Sequence, residues 1–179
     1  NVKLRYRFSD KLTVKFISSY GFDPYNLGWV DITPDDEIIY GLRYLHTYTN
    51  ELNAVYTFKN DMFLSVNVRH YWNTAEYRKY LSLLDNGEFE ANYEYAVNND
   101  FNYNAFNIDL VYSWQFAPGS NLSIVYKNAI ENDETGIVKI PSYDDNFKKM
   151  VRDPQINNLS LKVLYYLDYQ YVKKRLTGR

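Results

Sequence analysis

Apolar and aromatic side chains recur at every second position in segment after segment of this chain. Small, amide or basic side chains fill the alternate positions. Val2, Leu4, Tyr6 and Phe8 interleave with Lys3, Arg5 and Arg7, and near the other end Leu159, Leu161, Val163, Tyr165, Leu167, Tyr169 and Tyr171 share one phase. A β-strand turns successive side chains to opposite faces, so each segment has one apolar and one polar face. Period and turn signals predict nine strands, at about 2–8, 12–22, 38–49, 52–59, 62–72, 77–84, 104–116, 121–129 and 157–172. Most approach the roughly 9–11 residues of a tilted transmembrane strand. A short helix is expected at Asp145–Val151.

The connections fall into two classes. Tight turns are expected at Ser9–Lys11, Asn50-Glu51, Asn60-Asp61, Asn73–Ala75 and Ala117–Ser120, all rich in turn-forming residue types. Long loops over 23–37, 85–103 and 130–156 carry Asp, Glu, Asn, Pro and Tyr. Outer-membrane barrels have short periplasmic turns and longer extracellular loops. With Ser9–Lys11 on the periplasmic side, strand parity puts all three long loops outside, together with Asn60-Asp61 as a short extracellular hairpin. The first strand then runs downward and the last ends in the periplasm. A complete single-chain barrel normally has an even strand number with both ends in the periplasm, so the alternative to a partial barrel is one miscounted strand in a closed barrel of eight or ten. The expected fold is therefore an all-β, antiparallel up-and-down transmembrane β-barrel, with about nine strands here as the C-terminal portion of a larger barrel. That domain spans 1–179, with a periplasmic tail at about 173–179.

The apolar phase supplies a lipid face, as in Leu12, Val14 and Phe16, in Met62, Leu64 and Val66, and in Ile108, Leu110 and Tyr112. Aromatics at Trp72, Trp114, Phe116, Tyr169 and Tyr171 are placed for a membrane-interface girdle. The opposite phase carries Lys3, Arg5, Arg7, Lys15, Arg43, Lys59, Arg69, Lys127 and Lys162, with Asp109 and Asp168 as its only expected acids. A lysine or arginine facing lipid at mid-bilayer costs roughly 2–4 kcal/mol, so this phase is expected to line an aqueous lumen. There it could attract anions or hold an acidic plug, or simply keep the lumen hydrated. The competing expectation is a soluble sandwich or lipocalin-like barrel with the apolar phase turned to a core.

Composition narrows the classes. A net charge of -2 over 179 residues does not suggest a nucleic-acid binder. The chain has no cysteine, hence no disulfide framework and no cysteine-ligated zinc. Its 20 Tyr, 10 Phe and 3 Trp suit strands and membrane interfaces. A mean hydropathy of -0.51 averages two opposed faces. The acidic, tyrosine-rich loops could bind sugars or calcium, although none has the spacing of a calcium loop, and loops that simply stay solvated are the favoured expectation. No enzyme is expected. Only His46 and His70 are present, both on the apolar phase, and no G-x-S-x-G occurs. No cofactor or metal is expected.

The run Phe101–Ser120, FNYNAFNIDLVYSWQFAPGS, is the most distinctive stretch, with His70-Tyr71-Trp72, Leu84-Asp85-Asn86-Gly87, Tyr126-Lys127-Asn128 and Leu159–Lys174 beside it. From about residue 60 onward the chain resembles the uncharacterised C-terminal β-barrel domain of outer-membrane proteins whose N-terminal part is a carbohydrate-binding family 9-like domain. The resemblance implies an upstream barrel half and a sugar-binding-like module. It carries no activity onto named residues. The expected function is a Gram-negative outer-membrane barrel that anchors or gates a glycan-related module. An anion-favouring channel and a structural subunit of an outer-membrane complex are the alternatives. Expected partners are the lipid bilayer of the outer membrane, other outer-membrane proteins or surface lipoproteins, and a glycan.

Overall fold

The computed structural model describes residues 1–167 of the 179. Its elements are β1 (Val2–Arg7), β2 (Leu12–Ile32), β3 (Ile38–Lys59), β4 (Met62–Leu83), β5 (Phe89–Asn92), β6 (Phe101–Ala117), β7 (Ser120–Thr135), α1 (Tyr143–Met150) and β8 (Gln155–Leu164). The strands form one antiparallel sheet of eight strands in the order β1-β2-β3-β4-β6-β7-β8. The short β5 pairs with β4 at Tyr80–Leu83, beyond the point where β6 begins. The sheet is open, and β1 and β8 are its edges.

Three strands are far longer than the sequence pattern suggests, at 21, 22 and 22 residues for β2, β3 and β4. The turns expected at Asn50-Glu51 and Asn73–Ala75 are absent, and both sites lie in mid-strand. Asn50 accepts a hydrogen bond from Ser18 Oγ at 2.8 Å and donates one to Tyr143 Oη at 3.1 Å. Asn73 Oδ1 accepts from Thr47 Oγ1 at 3.1 Å, and Glu51 lies directly opposite Arg69. Turn-forming residue types serve here as cross-strand partners. The segments 38–49 and 52–59 are thus one strand, as are 62–72 and 77–84. The nine expected strands become eight, including β5, which lies inside the expected 85–103 loop. Most of the expected 23–37 loop is β2, and the start of the 130–156 loop is β7.

Losing two turns moves Asn60-Asp61 to the end that also holds the β1–β2 and β6–β7 turns. All three short connections share that end. The connections over 33–37, 84–100 and 136–154 share the other. In the last of these, α1 starts two residues before the expected helix. Ser142 caps it, its Oγ accepting from the Asp145 backbone N–H at 3.3 Å. Asp144 and Asp145 in the first turn and Lys148 and Lys149 in the last complement the helix dipole.

Candidate functional site

In-register partners on neighbouring strands share a face, so the strand pairing sorts the side chains into two surfaces. One row across the whole sheet reads Arg5, Lys15, Asn53, Asn67, Asp109, Lys127 and Asn158. Lys3 and Arg69 flank it on the next row, while Arg7 and Lys162 lie toward the short connections. Arg43 lies on the same face near the other end. Eight of the nine expected lumen cations therefore share one surface. Lys59 departs from it: a bulge at Phe58 sets Lys59 opposite Met62, whose row is apolar.

Asp109 sits between two of these cations. Arg69 Nη2 donates to Asp109 Oδ2 at 3.1 Å, and Lys127 Nζ lies 3.7 Å from Oδ1. The face is less one-sided than the sequence suggests. Glu51 sits on it in mid-strand, and Glu131 and Asp133 extend it along β7 toward the long connections. Cations dominate the end near the short turns and carboxylates the other.

At the acidic end Arg43 lies flat against the sheet. Its Nε donates to Asn26 Oδ1 at 2.7 Å and its Nη1 to Tyr77 Oη at 2.5 Å, with the guanidinium 5.3 Å from the Tyr77 ring centre. Two glycines make this possible: a Cβ at Gly28 would collide with the guanidinium and one at Gly41 with the Tyr77 ring. Nearby, Thr33, Glu37, Ser82, Glu90, Asn92 and Glu94 help to line a cavity of about 500 Å³. The family described as Domain of unknown function (DUF5916) matches residues 1–176.

The chain belongs to the DUF5916 family. No curated protein and no solved structure matches it.

On the opposite face of this DUF5916 sheet, four successive rows nearest the short connections are apolar across most of their width. They include Phe16-Leu52-Val68-Ile108, Val14-Ala54-Val66-Leu110, Tyr56-Leu64-Tyr112-Ile124 and Met62-Trp114-Leu122. One row farther up the chemistry changes on β2, β3 and β4 to Ser18, Asn50 and His70, while Phe106 and Ile130 continue the row on β6 and β7 as an apolar cluster with Met150 of α1; the next row holds Tyr48, Trp72 and Asn104. The α1 helix sits on these upper rows. Asn146, 1% exposed, accepts from the amides of Asn102 and Asn104 at 3.1 and 2.9 Å and donates to Asn104 Oδ1 at 2.7 Å. His70 Nε2 lies 3.3 Å from Asn104 Oδ1 and Nδ1 lies 3.1 Å from Tyr143 Oη. Those partners are consistent with a neutral ring that donates from Nε2 and accepts at Nδ1. Burial pushes the His70 pKa down, against a smaller upward pull from Asn104. Lys149, bonded to Glu134, holds that carboxyl below its ordinary range, with burial opposing.

The expected girdle divides. Trp114 and Phe116 pack edge to face, centroids 5.8 Å apart, half-buried beside the short connections. Trp72 is instead 3% exposed beneath α1, stacked on Tyr48 and donating to Asn102 Oδ1 at 2.6 Å. Tyr169, Tyr171, Asp168 and the expected tail at 173–179 lie outside the described residues. His46 and His70 both fall on the apolar phase as expected; His46 packs against Phe22 and Tyr20. Sequence reasoning misses the helix seat, although Asn102 and Asn104 preceding Phe106 in one phase mark a polar interruption of an apolar face.

Proposed function

We propose that this chain forms part of the wall of an outer-membrane β-barrel, with its apolar face toward lipid and its cation-bearing face toward an aqueous interior. The observation that carries this reading is the level at which the outer face changes chemistry. Four apolar rows two residues apart take up about 27 Å of strand, which at a tilt near 40° covers about 20 Å, most of the roughly 25 Å height of a barrel's hydrocarbon band. Above them, on neighbouring strands and at one level, the same face turns to amides and histidine and is covered by α1. Strands of 22 residues exceed the roughly 9–11 needed to cross. From the level of His70 and Asn50 onward they stand clear of the bilayer on the side of the long connections. On the opposite face Arg5, Lys15 and Lys127 lie at the level of the apolar belt, where lipid would penalise them.

Single cysteines test this directly, because these 179 residues contain none and any cysteine elsewhere in the full-length protein can first be replaced by serine. In full-length protein embedded in membranes, Leu64→Cys and Leu161→Cys should react with a lipid-soluble maleimide and resist an impermeant one. Asn53→Cys and Asn67→Cys should do the reverse. Leucine-site thiols that resist the lipid-soluble reagent as well would make the apolar face a packed protein core, and inverted labelling would put that face in water; either result ends the barrel-wall reading. The module held by the barrel is glycan-related on the strength of the resemblance carried by Phe101–Ser120. The cationic row favours a second reading, an anion-preferring channel. Planar-bilayer recording of the full-length protein separates the two, since an anchor stays silent.

A further inference from the structure

Two of the connections at the long end fold onto opposite faces of the sheet. The 136–154 connection lays α1 on the apolar face. The 93–100 stretch, between β5 and β6, lies across the other. From geometry alone it is more than a solvated loop. Tyr95 Oη donates to Asp31 Oδ2 on β2 at 3.2 Å, while Asp100 Oδ1 accepts from the Tyr77 backbone N–H on β4 at 2.6 Å. The stretch therefore reaches over β3, a span of about 10 Å for two strand spacings. Tyr80 pins its middle, donating to the Val97 carbonyl at 2.8 Å and accepting from the Asn99 N–H at 3.3 Å, with the Tyr80 and Tyr95 rings 4.8 Å apart. On the face it covers, Ile39 and Ala75 are fully buried and Ser82 is 8% exposed.

We infer that residues 93–100 form a fixed strap across the mouth of the aqueous interior, setting an upper size on what enters from the long-connection end. The inference rests on the barrel-wall reading above, because only there does this face enclose a lumen. Tyrosine rings and backbone hydrogen bonds make the strap a built part of the wall rather than a hinged lid. Glu37, Glu90 and Glu94 border it, so an entering solute meets carboxylates before the cationic row at Arg5, Lys15 and Lys127.

The test uses the Asn67→Cys full-length protein on intact cells, labelled from outside with a small impermeant maleimide and with the same group on a bulky polymer. Tyr80→Ala combined with Tyr95→Ala releases the strap. Tyr80→Phe, which keeps the ring and loses the Val97 and Asn99 bonds, is the milder variant should the double one fail to assemble. Heat-modifiable gel mobility reports assembly in each case. The small reagent should label all versions at the same rate. The bulky one should label the released strap several-fold faster than the intact one, with Tyr80→Phe between. Equal bulky labelling with the strap intact and released would overturn the strap. An introduced thiol at position 67 that reacts only with a lipid-soluble reagent would instead overturn the barrel wall itself, so the two failures are distinguishable.

Discussion

Asn146 decides how α1 is seated. Its side chain is the shared partner of the Asn102 and Asn104 amides, and all three are 1% exposed. Asn146→Leu removes both bonds; Asn102 keeps Glu134 as an acceptor at 3.3 Å, while the buried Asn104 N–H is left without one, at a cost of about 1–3 kcal/mol. The expected result is faster hydrogen exchange of the 143–150 amides, with the sheet unchanged. His70 makes the same contact pH-dependent. Its folded pKa lies below the ordinary 6.5, so the undocked state binds more protons once the pH drops under that value. Docking is at full strength above about pH 6.5 and weakens as pH falls toward the lowered folded pKa. Tyr143 and the neutral Asn50 and Asn104 surround the ring, and Tyr143 has its own pKa raised by burial. Helix-amide exchange measured on either side of that pH should rise at the acidic value, and His70→Gln should flatten the rise. Glu134, held down by Lys149, supports docking above about its ordinary 4.5 and loses that support only in stronger acid, so the two steps separate.

At the scale of the strand, alternation tells the faces correctly and the lengths poorly. The phases of Leu4 against Arg5, or Ile108 against Asp109, are the faces of the sheet because a period of two survives wherever the chain is extended. Strand ends are deceptive where Asn50 and Asn73 stand at the distance a membrane strand would end. Those asparagines turn no corner; they bond across to Ser18, Tyr143 and Thr47 from strands that run on beyond the apolar belt. The strap is illegible for a related reason: Tyr77, Tyr80 and Tyr95 have no shared period, and only the fold brings them together. A single added residue distinguishes turn from strand. Inserted between Asn60 and Asp61 it should be tolerated, since a surface turn absorbs length cheaply. Inserted after Asn50 it should shift the pairing of one half of β3 and turn Leu52 and Tyr56 to the polar face, and assembly judged by heat-modifiable mobility should fail.

For the whole molecule the two open edges set a condition that residue chemistry does not. Six antiparallel pairings separate β1 from β8, so the two edge strands run in the same direction. Joined to each other they would make a parallel seam, and so would β1 of one copy against β8 of a second. An antiparallel barrel built on this sheet therefore needs an odd number of further strands between its edges. Those edges are apolar on one side, with Leu4 60% and Leu161 67% exposed, which favours covering them over leaving them as templates for aggregation. With Leu4→Cys and Leu161→Cys in one full-length chain, intervening strands hold the two Cα atoms beyond the roughly 7 Å limit for a disulfide. Oxidation should therefore yield neither an intramolecular bridge nor a covalent dimer. An internal bridge would mean that β1 and β8 close directly on each other in parallel. A dimer would mean that a second copy completes the wall.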